Sequence, residues 1–419
     1  MLNNMSCVIV VGGVEHRLTG TIPRALQPIC GVPVVDHVVR SVESLGLNTI
    51  TGVSNASGLE DHLGQRAVHI RREGTRGSGD ALLMAKSRIE EFSGDVLVVY
   101  GDRPLIKPAT LEKMVNAGRK AGVDCAFLTV VMNDPYGHAR IIRTADGAVE
   151  RTGRDCEIRT EEGRIREVIA GAYYFRREAL LEAFKELAAE NMVQFYVTDL
   201  TTHFASKKQV LTIPVTDVEE VQGVYSLKNL ADAEMIMQKR VLERLMLEGV
   251  RIVDPRATSV GADVRIGKNT VIYPNTVIEG PSEIGENCAI GPFARIRAEV
   301  KLGNDVRVGN FVEVVRSHVG ARTRIMHLSF IGDAEIASDV MVGAGVITAN
   351  SDGIATHSTT VIERAARIGS GTILVAPLRV GSGAATGSGA VVPKNHHVLN
   401  GETVVGIPAK VLKKDEAVK

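Results

Sequence analysis

The chain has 419 residues, more than one ordinary core accommodates, so its length predicts two or three domains, with two as the first reading. Lysine plus arginine (49) balances aspartate plus glutamate (49), which excludes wrapping nucleic acid or lying on an anionic membrane through overall charge; an anionic partner has to be met locally. The five cysteines, Cys7, Cys30, Cys125, Cys156 and Cys288, are odd in number and outside any CxxC or Cys/His ligand spacing. That pattern excludes a disulfide framework and a structural zinc site and predicts buried free thiols in a reducing compartment.

At the start of the chain, Met1 to Ser6 form no basic n-region, and no later stretch reaches the roughly eighteen apolar residues of a spanning helix, so a soluble cytoplasmic protein is expected. The first predicted strand is "CVIVVGG". It runs into a polar, glycine-containing loop, "GGVEHRLTGTIPRAL", and then the helix-like "VVDHVVRSVESLG", an order that points to a βα unit with a phosphate-facing turn. Farther on, "DVLVVYGDRPLI" is an apolar run of the buried parallel-strand type and ends in Tyr100-Gly101-Asp102. A carboxylate at the carboxyl end of such a strand lies where open α/β sheets bind ligands, and suits a Mg²⁺ that bridges phosphates; a turn or cap aspartate is the plainer alternative. Leu227 to Glu248 holds long unbranched residues without glycine or proline and predicts a connecting helix. The expected organisation is a nucleotide domain over 1–225, a linker helix over 226–250 and a second domain over 251–419.

From Val260 an aliphatic residue returns at every sixth position: Val260, Ile266, Ile272, Ile278, Ile284, Ile290, Ile296, Leu302, Val308 and Val314. Glycine often follows it, and a small or β-branched residue such as Thr270, Thr276, Ser282 or Cys288 often lies four positions on. Period six is neither helical nor that of a half-buried strand. It predicts a hexapeptide solenoid in which three hexads make one turn of a three-sided coil. The aliphatic residue then points inward and stacks on its counterparts in adjacent coils, while small residues suit the corners. The phase slips by one near Val319 and again near Ile336, and breaks over Ala349 to Thr359 before resuming at Ile362. Loops extruded at such breaks often carry function. His327, in "IMHLSFIGDA", lies between these irregularities.

This order of domains, with "YGD" and the solenoid motifs "IGPFARIR", "VGNFVE", "HLSFIGDAEI" and "VGAGVITANSDG", resembles one bacterial family over nearly the whole chain. It is the bifunctional N-acetylglucosamine-1-phosphate uridyltransferase/glucosamine-1-phosphate N-acetyltransferase. The resemblance implies an α/β fold, a Rossmann-like nucleotidyltransferase domain joined to a left-handed parallel β-helix that forms a homotrimer. It implies acetylation of glucosamine-1-phosphate from acetyl-CoA, then uridylyl transfer from UTP with Mg²⁺.

Residue by residue, the resemblance makes His327 the general base for acetyl transfer, a role an imidazole suits near neutral pH. Arg297, Asn350 and Gly137 correspond to positions that hold the sugar phosphates, and Glu313 falls within the shared "GNFVE". Ala344, Ser370 and Ser388 correspond to positions along acetyl-CoA, with Lys394 or Lys410 placed for its nucleotide phosphates. On the uridyltransferase side, Gly13, Arg17, Gly77, Ser78, Tyr100, Gly101 and Asp102 correspond to the nucleotide site, with Arg24 as its catalytic cation and Asp102 as the metal ligand. The ending "VVGIPAKVL" resembles other hexapeptide acyltransferases and reads equally well as a cap on the coil.

The chain departs from the family pattern on both sides. Val315 replaces a lysine, Phe330 and Ser351 replace tyrosines, Met341 replaces an asparagine, and a further loop lysine is missing; Arg316 and His357 are the nearby candidates to compensate. Arg24 replaces the phosphate-gripping lysine, which keeps the charge and changes its geometry. Tyr225 replaces the second metal ligand, an asparagine, and the sugar-pocket asparagine before a glycine is gone, leaving Ile169-Ala170-Gly171. Three readings follow: a divergent bifunctional enzyme, an acyltransferase whose nucleotide domain is degenerate, and a non-catalytic binding or assembly homologue.

Overall fold

The computed structural model describes all residues except 1–3, 12–17, 19–21, 48, 55, 72–76, 189–193, 352, 354–356 and 413–419. Two compact units result, Met1–Ile236 and Met237–Lys419, and the boundary between them falls inside the helix Leu227–Leu247.

The first unit is a twisted sheet with helices, as the alternation of apolar runs and amphipathic segments predicts. Along the sheet the strands run Val210–Pro214, Cys125–Val131, Glu167–Phe175, Asp95–Tyr100, Met5–Val11, Ile50–Ser54 and Val68–Arg71. Met5–Val11 pairs in parallel with both Ile50–Ser54 and Asp95–Tyr100, and all seven of its residues are buried, which is why it reads as a continuous apolar run. The helix Val34–Glu43 buries Val34, Val35, Val38, Val39 and Val42 on one face. It stops three residues short of the segment expected, where Gly46 takes a positive φ of 80°. Glu167–Phe175 is the antiparallel member, set between Asp95–Tyr100 and Cys125–Val131, and its register against the latter breaks between Ile169 and Tyr173. One expectation fails here: Cys156 is exposed, and only the other four thiols are buried, because Cys156 lies in a short 3₁₀ turn outside the sheet.

The second unit is a three-sided parallel β-helix. Among the described residues its first face, beginning with Arg251–Ile252, holds ten strands, the second, beginning with Ser259–Val260, holds eight, and the third, beginning with Val264–Ile266, holds seven. Ile272, Ile290, Val308, Ile325, Val342 and Ile368 stack in successive coils of the first face. None is more than 2% exposed, and burying each such side chain contributes about 1.5 to 3 kcal/mol. The residues four positions on satisfy the corners: the Thr270 hydroxyl donates to the Gly285 carbonyl at 2.8 Å and accepts from the Cys288 amide at 3.0 Å, and Ser282 Oγ donates to the Arg297 carbonyl at 3.1 Å. At Gly285 the coil spacing requires the glycine, since a Cβ there would sit 2.6 Å from the Gly303 carbonyl carbon.

The phase slips are deletions at one corner. Ile290 pairs with Val308, eighteen residues on, whereas Val308 pairs with Ile325 and Ile325 with Val342, seventeen on. The shortened corners join the second face to the third and hold Arg316 and Asp333, whose φ values are 44° and 49°. Val342 pairs with Ile368, twenty-six on, because the loop after Ala349 is extruded between coils. At the C-terminal end Lys410–Val411 turns back antiparallel on Thr403–Val405, so "VVGIPAKVL" closes the coil and Lys410 lies in the closing strand. No helix among the described residues is long and apolar enough to cross a membrane.

Candidate functional sites

The corner between the first and second faces repeats once per coil, and there the chain places His327, Ala344, Ser370 and Ser388 one above another. Backbone bonds fix the column: the Gly345 amide donates to the His327 carbonyl at 2.8 Å, the Gly371 amide to Ala344 at 2.7 Å, and the Gly389 amide to Ser370 at 2.8 Å. His327 is exposed, its ring lies over Gly309, and the Asn310 amide donates to Nδ1 at 3.4 Å. A donor on Nδ1 assigns the proton of the neutral ring to Nε2, and at 3.4 Å that bond is long. Beside the column run residues in the left-handed region. Towards the N-terminal end these are Phe293, Phe311 and Leu328, and towards the C-terminal end they are Gly345, Gly371 and Gly389. Above His327 the left-handed positions therefore carry no side chains, and a Cβ built at Gly389 meets nothing within 4 Å. Below it, Phe293 and Phe311 stack with centroids 5.1 Å apart and remain 49% and 53% exposed.

The corner between the second and third faces carries a different group. Asp333 accepts from Arg316 Nε at 2.7 Å and Nη2 at 2.9 Å, from the Asn350 amide, and faces His357 Nδ1 at 3.2 Å. Burial by itself raises the Asp333 pKa, but these donors outweigh it and hold the carboxyl below its ordinary value. Arg316 and His357, expected as compensating cations, are both turned onto Asp333. Arg297 Nη1 reaches Glu313 at 3.2 Å, with both side chains partly exposed. Val315, in place of a lysine, is buried; Phe330 is half-buried and Met341 exposed. Ser351 pairs across the extruded loop with His357. His327 and Asn350 thus flank the second face at opposite corners, separated by a three-residue strand of roughly 10 Å.

In the first unit a cavity of about 540 Å³ opens beside the carboxyl end of Asp95–Tyr100. Ser78, Tyr100 and Gly137 line it, as do Ile169, Gly171 and Tyr225. The Tyr100 hydroxyl donates to Ser78 Oγ at 3.2 Å, and the same oxygen accepts from the Val197 amide at 3.2 Å. Gly77, at a φ of 111°, passes so close to Phe195 that a Cβ would lie 2.1 Å from its carbonyl oxygen. The Gly101 amide donates to Val10 at 3.0 Å, which holds Asp102 just past the sheet edge. Gly13 and Arg17 lie outside the described residues.

Asp102 is where a metal was expected. Its Oδ2 faces Arg24 Nη2 at 3.3 Å, and its buried Oδ1 has no hydrogen-bond partner among the described residues. No three His, Cys, Asp or Glu side chains converge on a metal position among those residues. The single orphaned carboxylate oxygen fits a Mg²⁺ that takes its other oxygens from phosphates and water. Tyr225, in place of the second ligand, stacks its ring against the guanidiniums of Arg24 and Arg103 at 5.7 and 5.5 Å.

Comparison with known proteins adds the lineage of both units. The family described as MobA-like NTP transferase domain matches residues 7–195, and that described as bacterial transferase hexapeptide (six repeats) matches residues 281–316. The bifunctional protein GlmU of Shouchella clausii is 35% identical over 92% of this chain and 93% of its own length. That of Bacillus velezensis is 34% identical over 98% of each chain, and that of Fervidobacterium nodosum 34% identical over 99% and 97%. The chain belongs to the family of the bifunctional protein GlmU. Its fold class is accordingly α/β, a nucleotidyltransferase domain followed by the left-handed β-helix of GlmU proteins.

Within the GlmU framework, sequence reasoning missed Arg103, His138, Arg154, Tyr173 and Tyr196, all of which line the cavity. His138 is pushed down to about 4 by burial and then by the charges of Arg103 and Arg140, so it is neutral at pH 7. A signal existed for Arg103 alone, since an arginine directly after "YGD" is a cation at the ligand end of a buried strand.

Proposed function

We propose that the chain acetylates the amine of glucosamine-1-phosphate from acetyl-CoA and then transfers uridylyl from UTP to the N-acetylglucosamine-1-phosphate formed. The observation that carries the reading is the column of His327, Ala344, Ser370 and Ser388 on one corner, with glycines beside the upper three. An extended pantetheine arm would lie along these small residues and end at the imidazole. The amine attacks the thioester carbonyl, the C–N bond forms as the C–S bond breaks, and His327 takes the amine proton and returns it to the departing thiolate. To do so the ring gives up the long contact with the Asn310 amide. Arg297 would bind the sugar phosphate with its planar fork in exchange for Glu313, and Asn350 would position the acceptor.

His327 and Asn350 stand at opposite corners, which supports a site completed by a neighbouring subunit. The stacked, exposed Phe293 and Phe311 supply an apolar ridge next to His327 that a second copy of the chain would cover, in keeping with a homotrimer.

In the first unit, the sugar-phosphate oxygen attacks the α-phosphorus of UTP, a P–O bond forms, and pyrophosphate leaves. Arg24 would steady the developing charge, with Gly77, Ser78, Tyr100 and Gly101 forming the nucleotide wall and Gly137 meeting the sugar. Mg²⁺, held by Asp102, would supply charge neutralisation at the phosphates when bound. The reading carries a cytoplasmic location, where acetyl-CoA and UTP are at hand. Thiol release from acetyl-CoA with glucosamine-1-phosphate, and pyrophosphate release from UTP, test the two halves separately. Thiol release alone would leave a single-function acyltransferase; neither, in a folded trimer, would leave a binding or assembly homologue.

A further inference from the structure

Arg103 is 5% exposed, yet it lines the cavity of the first unit. Its Nη1 donates to the Val221 carbonyl, while its buried Nε has no hydrogen-bond partner among the described residues. The nearest carboxylate oxygen, Asp102 Oδ1, is 3.9 Å away, too far for a hydrogen bond, and is itself without a partner. Asp102 also faces Arg24 at 3.3 Å. The remaining neighbours of Arg103 are neutral rings, Tyr225 at 5.5 Å from the guanidinium carbon and Tyr100 beside it across Gly171. Gly171 makes the arrangement possible: at a φ of 81° it carries no Cβ, and one there would come within 3.0 Å of Tyr100 Cδ2 and 3.3 Å of Arg103 Nε.

A buried guanidinium nitrogen left without a hydrogen-bond partner is costly, and one that borders a cavity is completed by an anionic ligand. The only ligand group of that charge in the proposed reaction that must sit beside the sugar is its phosphate. We propose that Arg103 binds the phosphate of the sugar-1-phosphate in the uridylyl cavity, through Nε, and so sets the direction from which that phosphate attacks. The inference rests on the function proposed above. It assigns to this chain a phosphate-holding cation directly after "YGD" that the family resemblance did not name, and it gives Gly171 a role beside Tyr100 and Arg103.

The test is calorimetric titration of the full-length chain with N-acetylglucosamine-1-phosphate, N-acetylglucosamine and UTP, native and with Arg103→Gln, which keeps a donor for the Val221 carbonyl. The expected result is a loss of at least about ten-fold in the preference for the phosphorylated over the unphosphorylated sugar, the lower end for a hydrogen bond to a charged group. UTP affinity should stay within about two-fold. An unchanged preference overturns the inference and leaves the proposed function standing. An equal fall in UTP affinity also overturns it, because Arg103 would then be acting through the fold. A native chain that binds UTP and no sugar phosphate removes the proposed acceptor before any substitution is compared. With Arg103→Lys, which keeps the charge without the fork, the preference should recover only in part.

Discussion

The imidazole of His327 rests on Gly309 so closely that a Cβ there would lie 2.8 Å from Nδ1. The glycine of "VGNFVE" and the histidine of "HLSF", one coil apart, are thus one structural unit. Gly309→Ala should displace the ring while leaving the coil intact. Acetyl transfer should fall by about ten-fold or more, since an angstrom of misplacement at a reacting group is felt at that scale, whereas His327→Ala should abolish it. Thiol release from acetyl-CoA in parallel with thermal melting checks this: a large loss of transfer with little change in Tm is expected for both variants.

The corner above His327 carries only the small residues Ala344, Ser370 and Ser388, with glycines as their neighbours. Ser370→Phe should fill it, raising KM for acetyl-CoA by about ten-fold or more while pyrophosphate release from UTP is unaffected. A KM unchanged by this substitution would place the cofactor elsewhere on the solenoid.

Asp333 gathers Arg316, Asn350 and His357 at the shortened corner. Asp333→Ala leaves those donors facing an empty position and should destabilise the second unit by about 1 to 3 kcal/mol, read from urea unfolding. Because the folded carboxyl titrates below its ordinary value, its contribution is present above that value and is lost as pH falls through the folded pKa. The native and variant curves should therefore converge in strong acid.

Phe293 and Phe311 expose a stacked pair that a second copy is expected to cover. Phe311→Asp should shift the assembly towards monomer in sedimentation velocity and should silence acetyl transfer, because a charge on that ridge cannot be buried without a partner. A trimer that persists with Phe311→Asp would move the interface to another face.

His138 has its pKa lowered from 6.5 to about 4. Between those values the unfolded chain binds more proton than the folded one, so stability falls as pH drops through that window. His138→Gln should flatten this part of the stability profile, and Arg103→Met should raise the His138 pKa seen by NMR, because it removes one of the charges that depress it.

The sequence by itself determined the solenoid. A period of six is local: each aliphatic residue meets its own counterpart in the next coil, so counting positions was enough to place Ile272 over Ile290 and to locate the slips at Val319 and Ile336. His327, Ala344, Ser370 and Ser388 are named by resemblance rather than by counting, and their column depends on a coil pairing that skips the loop after Ala349. Only the tertiary structure decided how Arg316 and His357 are used. Their partner, Asp333, is brought to them by a one-residue deletion that turns a corner, and no count of hexads says which way a side chain then points. The same holds more strongly in the first unit. Arg103, Gly171 and the pair Val221 and Tyr225 come from three separate segments and meet at the end of one buried strand. A buried charge of that kind is defined by what surrounds it rather than by its place in the chain.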